Sequence, residues 1–360
     1  AVSDTETPSA DLQVCWDWND DGTCETAYST TKITTHDFGA SGTFAIGMKV
    51  KDAVGQISTA HRSVTFSNVE FVGGLTLSES TLWYGTRIIT GDVVVAAGAT
   101  LTIDAGTQVL FVNADGDANG VGDWTLNIQG ALVVNGTAAD PVVFTGHSAT
   151  GKVTGAWDRI ILSGTTPSSI THAIVEYADV GIEVKNASTL DHVTVRKSRN
   201  ECIKLNNADN ASLTDVTTTE CGDSGVIAAG GSIGVTVTRL TSTLNAQHGL
   251  SILASSSVTA TGCQLSENQA SGAKIGVGST LNLSDSISET NADAGLHFVS
   301  TSNGSVRHNQ IRRNGAEGVL LENDASGTPM PVINANNIFS NSTTGGRRHG
   351  STNTSATLAA

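Results

Sequence analysis

The sequence predicts an all-β protein built mainly as a parallel β-helix, and two observations carry this prediction. Glycines that precede an apolar-x-apolar triplet recur every 21 to 24 residues, which is the repeat length of a solenoid. Only 4% of the 360 residues are aromatic, so the core must consist of small and β-branched side chains stacked regularly. A charged fraction of 15% with 39 glycines excludes a charged, helix-rich protein.

The repeat has one anchor position per unit, and cysteine replaces glycine at one of them. The anchors are Gly181, Cys202, Gly225, Gly249, Gly272, Gly295 and Gly318. Residues one and three places after each anchor are apolar, as in Ile182 and Val184, and the alternation of a strand directs both into the same interior. A long helix does not explain this period, and the leucine pattern of leucine-rich repeats is absent.

Asparagine stands four residues before several of these anchors. The positions are Asn245, Asn268, Asn291 and Asn314, with Asn341 continuing the series, and Ser198 and Cys221 take the place in earlier repeats. Stacked about 4.8 Å apart, these amides would form a hydrogen-bonded ladder along one corner of the coils.

The first 70 residues have a different period. Alternating runs separated by Gly, Asp, Asn and Ser clusters indicate a small β-sandwich. The runs lie at 12–14, 43–50 and 62–66. The motifs Trp-Asp-Trp-Asn-Asp-Asp-Gly at 16–22 and Val-Lys-Asp at 50–52 resemble the second half of a polycystic-kidney-disease (PKD) domain, an immunoglobulin-like module of secreted proteins. The family's first strands have no counterpart before Ala1, so we expect an incomplete sandwich in a mature or trimmed product.

A second resemblance concerns the rest of the chain. Gly-Ala-Thr-Leu-Thr-Ile at 98–103, its echo at 130–137 and Pro-Val-Val-Phe-Thr at 141–145 resemble the first coils of secreted right-handed parallel β-helix proteins of the pectate-lyase-like superfamily. The resemblance implies a right-handed helix of about 11–12 coils, and it implies the fold more than an activity, because the superfamily holds lyases, hydrolases, epimerases, adhesins and tailspikes. We expect three regions: a PKD-like sandwich at 1–70, the β-helix at 71–345 and a polar tail at 346–360.

Two short loops carry oxygen donors at the spacing of a calcium-binding loop, with donors at positions 1, 3, 5 and 9 and glycine at position 6. The predicted ligands are Asp17, Asn19, Asp21 and Glu25 in the first loop and Asp115, Asp117, Asn119 and Asp123 in the second. Tyr28 and Leu126 replace the bidentate glutamate at position 12, so we expect structural Ca²⁺ at the affinity of extracellular modules. The alternative is a polar turn without metal.

A column of mostly charged residues stands ten places before the anchors. Its members are His192, Asp215, Arg239, Gly262, Asp285 and His308. Opposite charges on neighbouring rungs favour structural pairing over acid–base catalysis. The Gly-His-Gly and Arg-Ile-Lys motifs of polygalacturonase-like hydrolases are absent, and we predict no catalytic residues. Lyases of this fold use a basic residue beside carboxylates that hold Ca²⁺, and the Asp115 loop has no evident Arg or Lys partner in the sequence.

Aromatic and cysteine residues yield further expectations. Trp83, Trp124 and Trp157 are the candidates for a glycan platform, but we expect them to cap the first coils or to cover the junction with the sandwich instead. Phe298 and Phe339 fall at apolar register and should be internal. A disulfide is expected between Cys15 and Cys24. None is expected between Cys202 and Cys221, which occupy different places in the repeat, and Cys263 has no close partner in the sequence.

The net charge of −15 excludes a basic nucleic-acid surface, and no apolar run reaches the roughly 18–20 residues of a membrane span. We predict a non-catalytic extracellular structural or adhesive protein, secreted or at the cell surface, with further copies of itself in a surface fibre or a surface polysaccharide as its partner. The alternative is a calcium-dependent polysaccharide lyase or glycoside hydrolase of the β-helix superfamily. A glycan-binding module is the second alternative.

Overall fold

The computed structural model describes residues 2–36, 38, 42–66, 69–148, 151–323 and 327–342. The chain forms two compact units, Ala1–Val69 and Glu70–Ala360. Within the described ranges every regular element is a strand, and no helix is long and apolar enough to cross a membrane. The tail predicted at 346–360 lies outside the described residues.

The N-terminal unit contains one antiparallel sheet. Its strands, in spatial order, are β1 (Gln13–Asp17), β2 (Gly42–Lys51) and β3 (Ile57–Phe66). The predicted disulfide between Cys15 and Cys24 is confirmed, with Cα atoms 5.9 Å apart. It ties the buried strand β1 to the loop that follows it. The immunoglobulin-like sandwich and its relation to PKD domains stay a prediction.

The second unit is a solenoid of parallel strands, and one of its faces is a sheet of eleven short strands. The strands of this sheet are β5 (Leu75–Leu77), β8 (Val93–Val95), β11 (Leu126–Ile128), β14 (Ile160–Leu162), β16 (Ile182–Val184), β18 (Ile203–Asn206), β21 (Val226–Ala229), β24 (Leu250–Ile252), β27 (Ala273–Ile275), β30 (Leu296–Val299) and β33 (Val319–Glu322). Each coil contributes one of these strands, so the predicted number of coils is confirmed.

The remaining strands of the solenoid form a sheet of 21 strands that also pair in parallel. They are β4 (Val69–Val72), β6 (Thr81–Trp83), β7 (Thr86–Ile89), β9 (Thr100–Asp104), β10 (Gln108–Val112), β12 (Ala131–Asn135), β13 (Val142–His147), β15 (Ser169–Glu176), β17 (Thr189–Arg196), β19 (Ser212–Thr214), β20 (Thr217–Thr219), β22 (Val235–Thr238), β23 (Thr241–Thr243), β25 (Ser257–Thr261), β26 (Gln264–Ser266), β28 (Thr280–Ser284), β29 (Ile287–Glu289), β31 (Asn303–Arg307), β32 (Gln310–Arg312), β34 (Val332–Asn334) and β35 (Asn337–Phe339).

The register of the eleven-stranded sheet follows the sequence anchors. Its strands from β16 onward begin directly after an anchor, and Leu250 pairs with Ala273, which pairs with Leu296. From Ile182 to Phe298 the apolar residues at both ends of each triplet are buried in one continuous core, as predicted for Ile182 and Val184, and Val319 and Leu321 of the last triplet are partly buried against it. The period of the sequence therefore sets which residues lie above one another.

The tryptophans of the solenoid belong to this core or pack against it. Trp157 is 0% exposed, its ring stacks on Phe111 with centroids 4.0 Å apart, and its Nε1 donates to the Glu176 carbonyl at 3.0 Å. Trp83 is buried and Trp124 packs on the core from the side. Phe298 is internal as expected, whereas the expectation for Phe339 is wrong, because this ring is 41% exposed on strand β35.

The predicted asparagine ladder is confirmed. Nδ2 of each side chain donates to Oδ1 of the next, from Asn245 to Asn268 at 3.0 Å, and so on through Asn291 and Asn314 to Asn341. Each Oδ1 also accepts the backbone N–H of the preceding rung's asparagine. Buried amides that satisfy one another in this way fix the register of neighbouring coils.

A second, shorter ladder was not predicted. Asn309 Nδ2 donates to Asn336 Oδ1 at 3.0 Å, and Asn309 Oδ1 accepts the N–H of Ser286. Earlier rungs place Ser286 and Cys263 in the same column, where Ser286 Oγ accepts the N–H of Cys263. Only two asparagines occupy this column, which is too few to reveal it in the sequence.

The expectation for Cys202 and Cys221 is wrong, because these residues form a disulfide with Cα atoms 5.7 Å apart. Cys202 occupies an anchor position, and Cys221 occupies the ladder position of the next coil. In later coils glycine stands at the first of these positions and asparagine at the second. A Cβ built on Gly249 would lie 2.9 Å from Asn268 Nδ2. Anchor and ladder positions of adjacent coils therefore touch, and the shared separation of 19 residues is the signal that sequence reasoning missed.

We expect this disulfide arrangement to appear in a thiol titration. The unfolded, unreduced protein should show one reactive thiol, from Cys263, out of five cysteines in the chain. Reduction should raise the count to five and destabilise the solenoid by about 3 kcal/mol, the loop-closure value for a short loop. Three thiols before reduction would contradict the Cys202–Cys221 bond.

Candidate functional site

The two predicted calcium loops have the same internal hydrogen bonds. Asp17 and Asp115, at position 1, each accept two backbone N–H groups, from the residues at positions 5 and 6. The first of these loops follows strand β1, and the second joins β10 to β11. The glycine at position 6 has positive φ in both, 92° at Gly22 and 80° at Gly120, a conformation that glycine adopts without strain.

The carboxylate at position 9 closes each loop. Glu25 Oε2 accepts the N–H of Trp18 at 2.7 Å, and Asp123 Oδ2 accepts the N–H of Gly116 at 2.8 Å. In each loop the three carboxylates bring one oxygen each to within 4.8 Å of the others. Hard oxygen donors gathered in this way fit Ca²⁺ better than a softer ion. Calcium at these loops stays a prediction.

The second loop has a basic partner that the sequence does not show. Arg199, 79 residues further along the chain, donates from Nη1 to the Gly120 carbonyl at 3.1 Å. The same nitrogen lies 3.9 Å from Asp179 Oδ1. The coiling of the solenoid thus brings an arginine to the Asp115 loop and connects this loop with the neighbouring sheet.

The outer surface of the eleven-stranded sheet and the turns leading into it form what we call the charged face. The central residue of each short strand points away from the core. Glu183, Ile227 and Ser251 are nevertheless buried, whereas Lys204, Lys274 and His297 are partly exposed. In consecutive coils this column reads Glu183, Lys204, Ile227, Ser251, Lys274 and His297. Acids in the turns, such as Asp179 and Asp293, flank it.

A tight ion-pair cluster lies at the start of the charged face. Arg159 contacts Glu183 at 3.1 Å, Asp158 at 2.9 Å and Asp179 at 3.8 Å. Burial by itself would lower the pKa of Arg159, but Asp158 and Glu183 outweigh burial and raise it. Burial would likewise raise the pKa of Glu183, but Asn206, Lys185 and Arg159 lower it. Both groups therefore stay ionised, and they hold the cluster rigid.

A second group of basic side chains lies further along the charged face. Lys274 stands in register between Ser251 and His297, and His297 Nε2 is 2.7 Å from Glu322 Oε2. His248 precedes strand β24, and its Nδ1 accepts the N–H of Ser271 at 3.1 Å. Burial, followed by the charges of Lys274 and His297, lowers the pKa of His248 to about 4. His248 is therefore neutral at pH 7, with its proton on Nε2.

We expect His248 to make the fold sensitive to acid. Because its pKa is lowered in the folded state, the unfolded chain binds more protons between pH 6.5 and 4, and stability falls as the pH drops through this range. The loss at pH 5 should be about 2 kcal/mol relative to pH 7. Urea unfolding at both pH values should show this loss in the wild type, a smaller loss in His248→Asn, and the full loss in the control His308→Asn. Equal losses in all three proteins would contradict the assignment.

The charge column predicted ten places before the anchors is stacked as expected. Arg239 bonds both oxygens of Asp215, and His192 Nε2 lies 3.7 Å from Asp215 Oδ2. Asp285 and His308 approach to 3.9 Å. These residues have left-handed backbone angles near φ 50–56°, so the column marks a corner of the coil. Arg239 with Asp215 and His308 with Asp285 are thus contacts between rungs of the same column.

Comparison with known families and structures gives matches throughout the solenoid. The family model described as "Pectate-lyase like beta helix domain" matches residues 73–181, and the one described as "Right handed beta helix region" matches residues 201–358. Each model covers less than half of the chain, and both matches agree with the solenoid of parallel strands. A comparison with curated protein sequences gives no significant match.

Several solved structures share the fold at low sequence identity. Pectate lyase Pel9A has a TM-score of 0.50 at 11% identity, with 74% of each chain covered. The mannuronan C-5 epimerase AlgE4 A-module of Azotobacter vinelandii has a TM-score of 0.48 at 10% identity, covering 72% of this chain and 91% of that one. The periplasmic alginate epimerase AlgG has a TM-score of 0.43 at 12% identity, covering 76% and 79%. At this identity the likeness establishes the fold alone.

Proposed function

We propose that the protein is an extracellular, calcium-dependent polysaccharide-active protein that binds an acidic polysaccharide along the charged face. The observation that carries the proposal is the column that contains Lys204, Lys274 and His297, because two lysine ammonium groups stand on this face of a chain whose net charge is −15. Cations fixed on the rungs of a β-helix can pair with carboxylates spaced along an extended polymer.

The rigid cluster supports this proposal by its position. Arg159 and Glu183 are locked in ion pairs, and Lys204 Nζ lies 3.6 Å from Glu201 Oε1. The contact with a polymer carboxylate therefore falls first to Lys274. Arg199 connects this region with the Asp115 loop. Bound calcium at that loop would supply positive charge that bridges protein and polymer carboxylates.

The substrate class we propose is a polymer of uronic acid, and the reaction class is lyase-type elimination or epimerisation at the carbon next to the carboxylate. In both reactions a base takes the proton from the carbon beside that carboxylate, and a cation at the carboxylate stabilises the negative charge that the proton leaves on the substrate. Lys274 is placed to bind the carboxylate, and the neutral His248 to donate a hydrogen bond from Nε2. The matched family includes "pectate-lyase like" in its description, which agrees with this class.

Incubation with a panel of uronate polymers, with and without calcium, tests this function. We expect unsaturated products or a changed uronate composition, detected by ultraviolet absorbance and by NMR, and we expect calcium to be required. Binding without any product would indicate a glycan-binding module instead. Neither binding nor turnover across the panel would contradict the proposal.

Calcium binding is tested separately by calorimetric titration of the calcium-free protein. We expect two sites, and we expect one of them to be lost in Asp117→Ala, because Asp117 would contribute a ligand oxygen. The control Glu79→Gln changes the charge of an exposed acid that lies outside both loops. An unchanged titration in Asp117→Ala would exclude the second loop as a site.

A non-catalytic structural or adhesive role, with self-association into a fibre, is the second candidate. It extends to a second copy of the chain the stacking that the amide ladder and the charge column at the corner provide between coils of one chain. Two disulfides agree with an oxidising compartment for either candidate. Concentration-dependent growth in light scattering would support the fibre, and a monomer at all concentrations would contradict it.

A further inference from the structure

One corner of the 21-stranded sheet gathers four side chains that can ligate a metal ion. His172 and His192 lie opposite each other in strands β15 and β17, with ring centroids 4.5 Å apart. Asp191 adjoins His192, and Asp215 occupies the same corner of the next coil. Three successive coils thus contribute two imidazoles and two carboxylates to one place, outside both calcium loops and the charged face.

The donor atoms of Asp191, His192 and Asp215 lie at short distances from one another, and His172 joins them through its ring contact with His192. His192 Nδ1 lies 2.9 Å from Asp191 Oδ1, and His192 Nε2 lies 3.7 Å from Asp215 Oδ2. One donor atom each from Asp191, His192 and Asp215 falls within 4.8 Å of the others. The side chain of His192 is 48% exposed, so an ion from solution reaches the group without any opening of the fold.

We propose that His172, His192, Asp191 and Asp215 form a binding site for a divalent transition-metal ion, with Zn²⁺ as its representative. Imidazole nitrogens suit Zn²⁺, Ni²⁺ and Cu²⁺ rather than the Ca²⁺ expected at the two loops. Two nitrogens and two carboxylate oxygens complete a tetrahedral zinc shell. The bound ion ties three consecutive coils together at this corner.

The left-handed backbone explains why the ligands converge. His172, His192 and Asp215 have φ between 47° and 53°, so each side chain leaves the coil at the same corner and in the same direction. Parallel pairing then stacks them at the rung spacing of about 4.8 Å. The site is a product of the repeat register, as the asparagine ladder is.

Arg239 distinguishes a metal site from simple charge pairing. It bonds Asp215 Oδ1 at 2.6 Å and Asp215 Oδ2 at 2.5 Å, and its positive charge opposes a cation at this place. If these residues serve only as a charge column, removing Arg239 weakens the column and leaves metal affinity unaffected. For a metal site the same change frees a ligand and removes a repulsion, so metal affinity should rise.

The same corner offers a matched control further along the solenoid. His308 and Asp285 approach to 3.9 Å in the same column, and the next coil presents Ala335 at this corner, where the proposed site has a second histidine. One imidazole and one carboxylate are too few for a transition-metal site. His308→Ala therefore changes the column without changing the proposed site.

Calorimetric titration of the full chain with ZnCl₂, in buffer containing calcium to fill the loops, tests the proposal. We expect one zinc ion per chain, affinity at least about tenfold weaker in His172→Ala and in His192→Ala, affinity about fivefold stronger in Arg239→Gln, and no change in His308→Ala. Thermal unfolding without zinc checks that each variant is folded. Absence of zinc binding, an affinity equal to that of the wild type in both His172→Ala and His192→Ala, or weaker binding by Arg239→Gln would overturn the site.

Discussion

Replacing Asn291 by alanine should destabilise the solenoid by at least about 3 kcal/mol. The side chain is 1% exposed, and its Nδ2 donates to Leu265 O and Asn314 Oδ1, both at 2.9 Å. Its Oδ1 accepts from both nitrogens of Asn268. Alanine removes these four hydrogen bonds and a longer one from Nδ2 to Ser288 Oγ at 3.3 Å, and each buried group left without a partner costs about 1–3 kcal/mol.

Urea unfolding followed by circular dichroism measures this loss. The control Asn337→Ala removes an amide of the same size from an exposed strand position and should change stability by less than about 0.5 kcal/mol. Asn291→Asp is a further test, because it keeps the acceptor but loses the donor and places a charge in the ladder. Equal stability of Asn291→Ala and Asn337→Ala would show that the ladder does not hold the coils together.

Replacing Trp157 by alanine should cost about 4 kcal/mol, within the usual range for a buried tryptophan. The ring is fully buried against Phe111 and is hydrogen-bonded to the Glu176 carbonyl, so its loss leaves both a cavity and an acceptor without a donor. Trp157→Phe keeps most of the stacking and should cost about half as much.

Glycan binding gives an independent readout for this tryptophan. If Trp157 belongs to the core, Trp157→Phe should leave the affinity for an acidic polysaccharide unchanged. A variant that is stable but loses binding would mean that this aromatic ring contacts sugar, contrary to its burial.

The repeat in the sequence was sufficient to predict the fold because a solenoid converts spacing along the chain into contact between rungs. Gly249, Gly272 and Gly295 mark one place in successive coils, and Asn268 and Asn291 mark another. Each column could be recognised by itself. The contact between the two columns could not, since it depends on how the chain turns between ladder and anchor, and the Cys202–Cys221 disulfide was missed for this reason.

The candidate sites were predictable only where their residues are close in the sequence. The Asp17 and Asp115 loops are local motifs and could be found by spacing. The contact of Arg199 with Gly120 joins segments 79 residues apart. The buried carboxylate of Glu176, held by Lys152 at 2.9 Å and Arg196 at 2.7 Å, is also assembled from separate coils.

The charged face of the eleven-stranded sheet also depends on the register between coils. Lys204, Lys274 and His297 fall at the central place of their triplets, and the sequence shows that this place points outward. It does not show that the turns add acids beside them or that burial keeps His248 neutral. Those properties arise when neighbouring coils close around the side chains.

The most direct test of the charged face is affinity electrophoresis through gels that contain a uronate polymer and calcium, with two variants of identical net charge. Lys274→Glu reverses a charge on the proposed binding surface, and Lys197→Glu reverses one on the 21-stranded side of the coil, at the end of strand β17. We predict that Lys274→Glu weakens the retardation by about tenfold or more, while Lys197→Glu migrates like the wild type after correction for charge. Equal retardation of the two variants would contradict the central claim that the polymer binds on the eleven-stranded face.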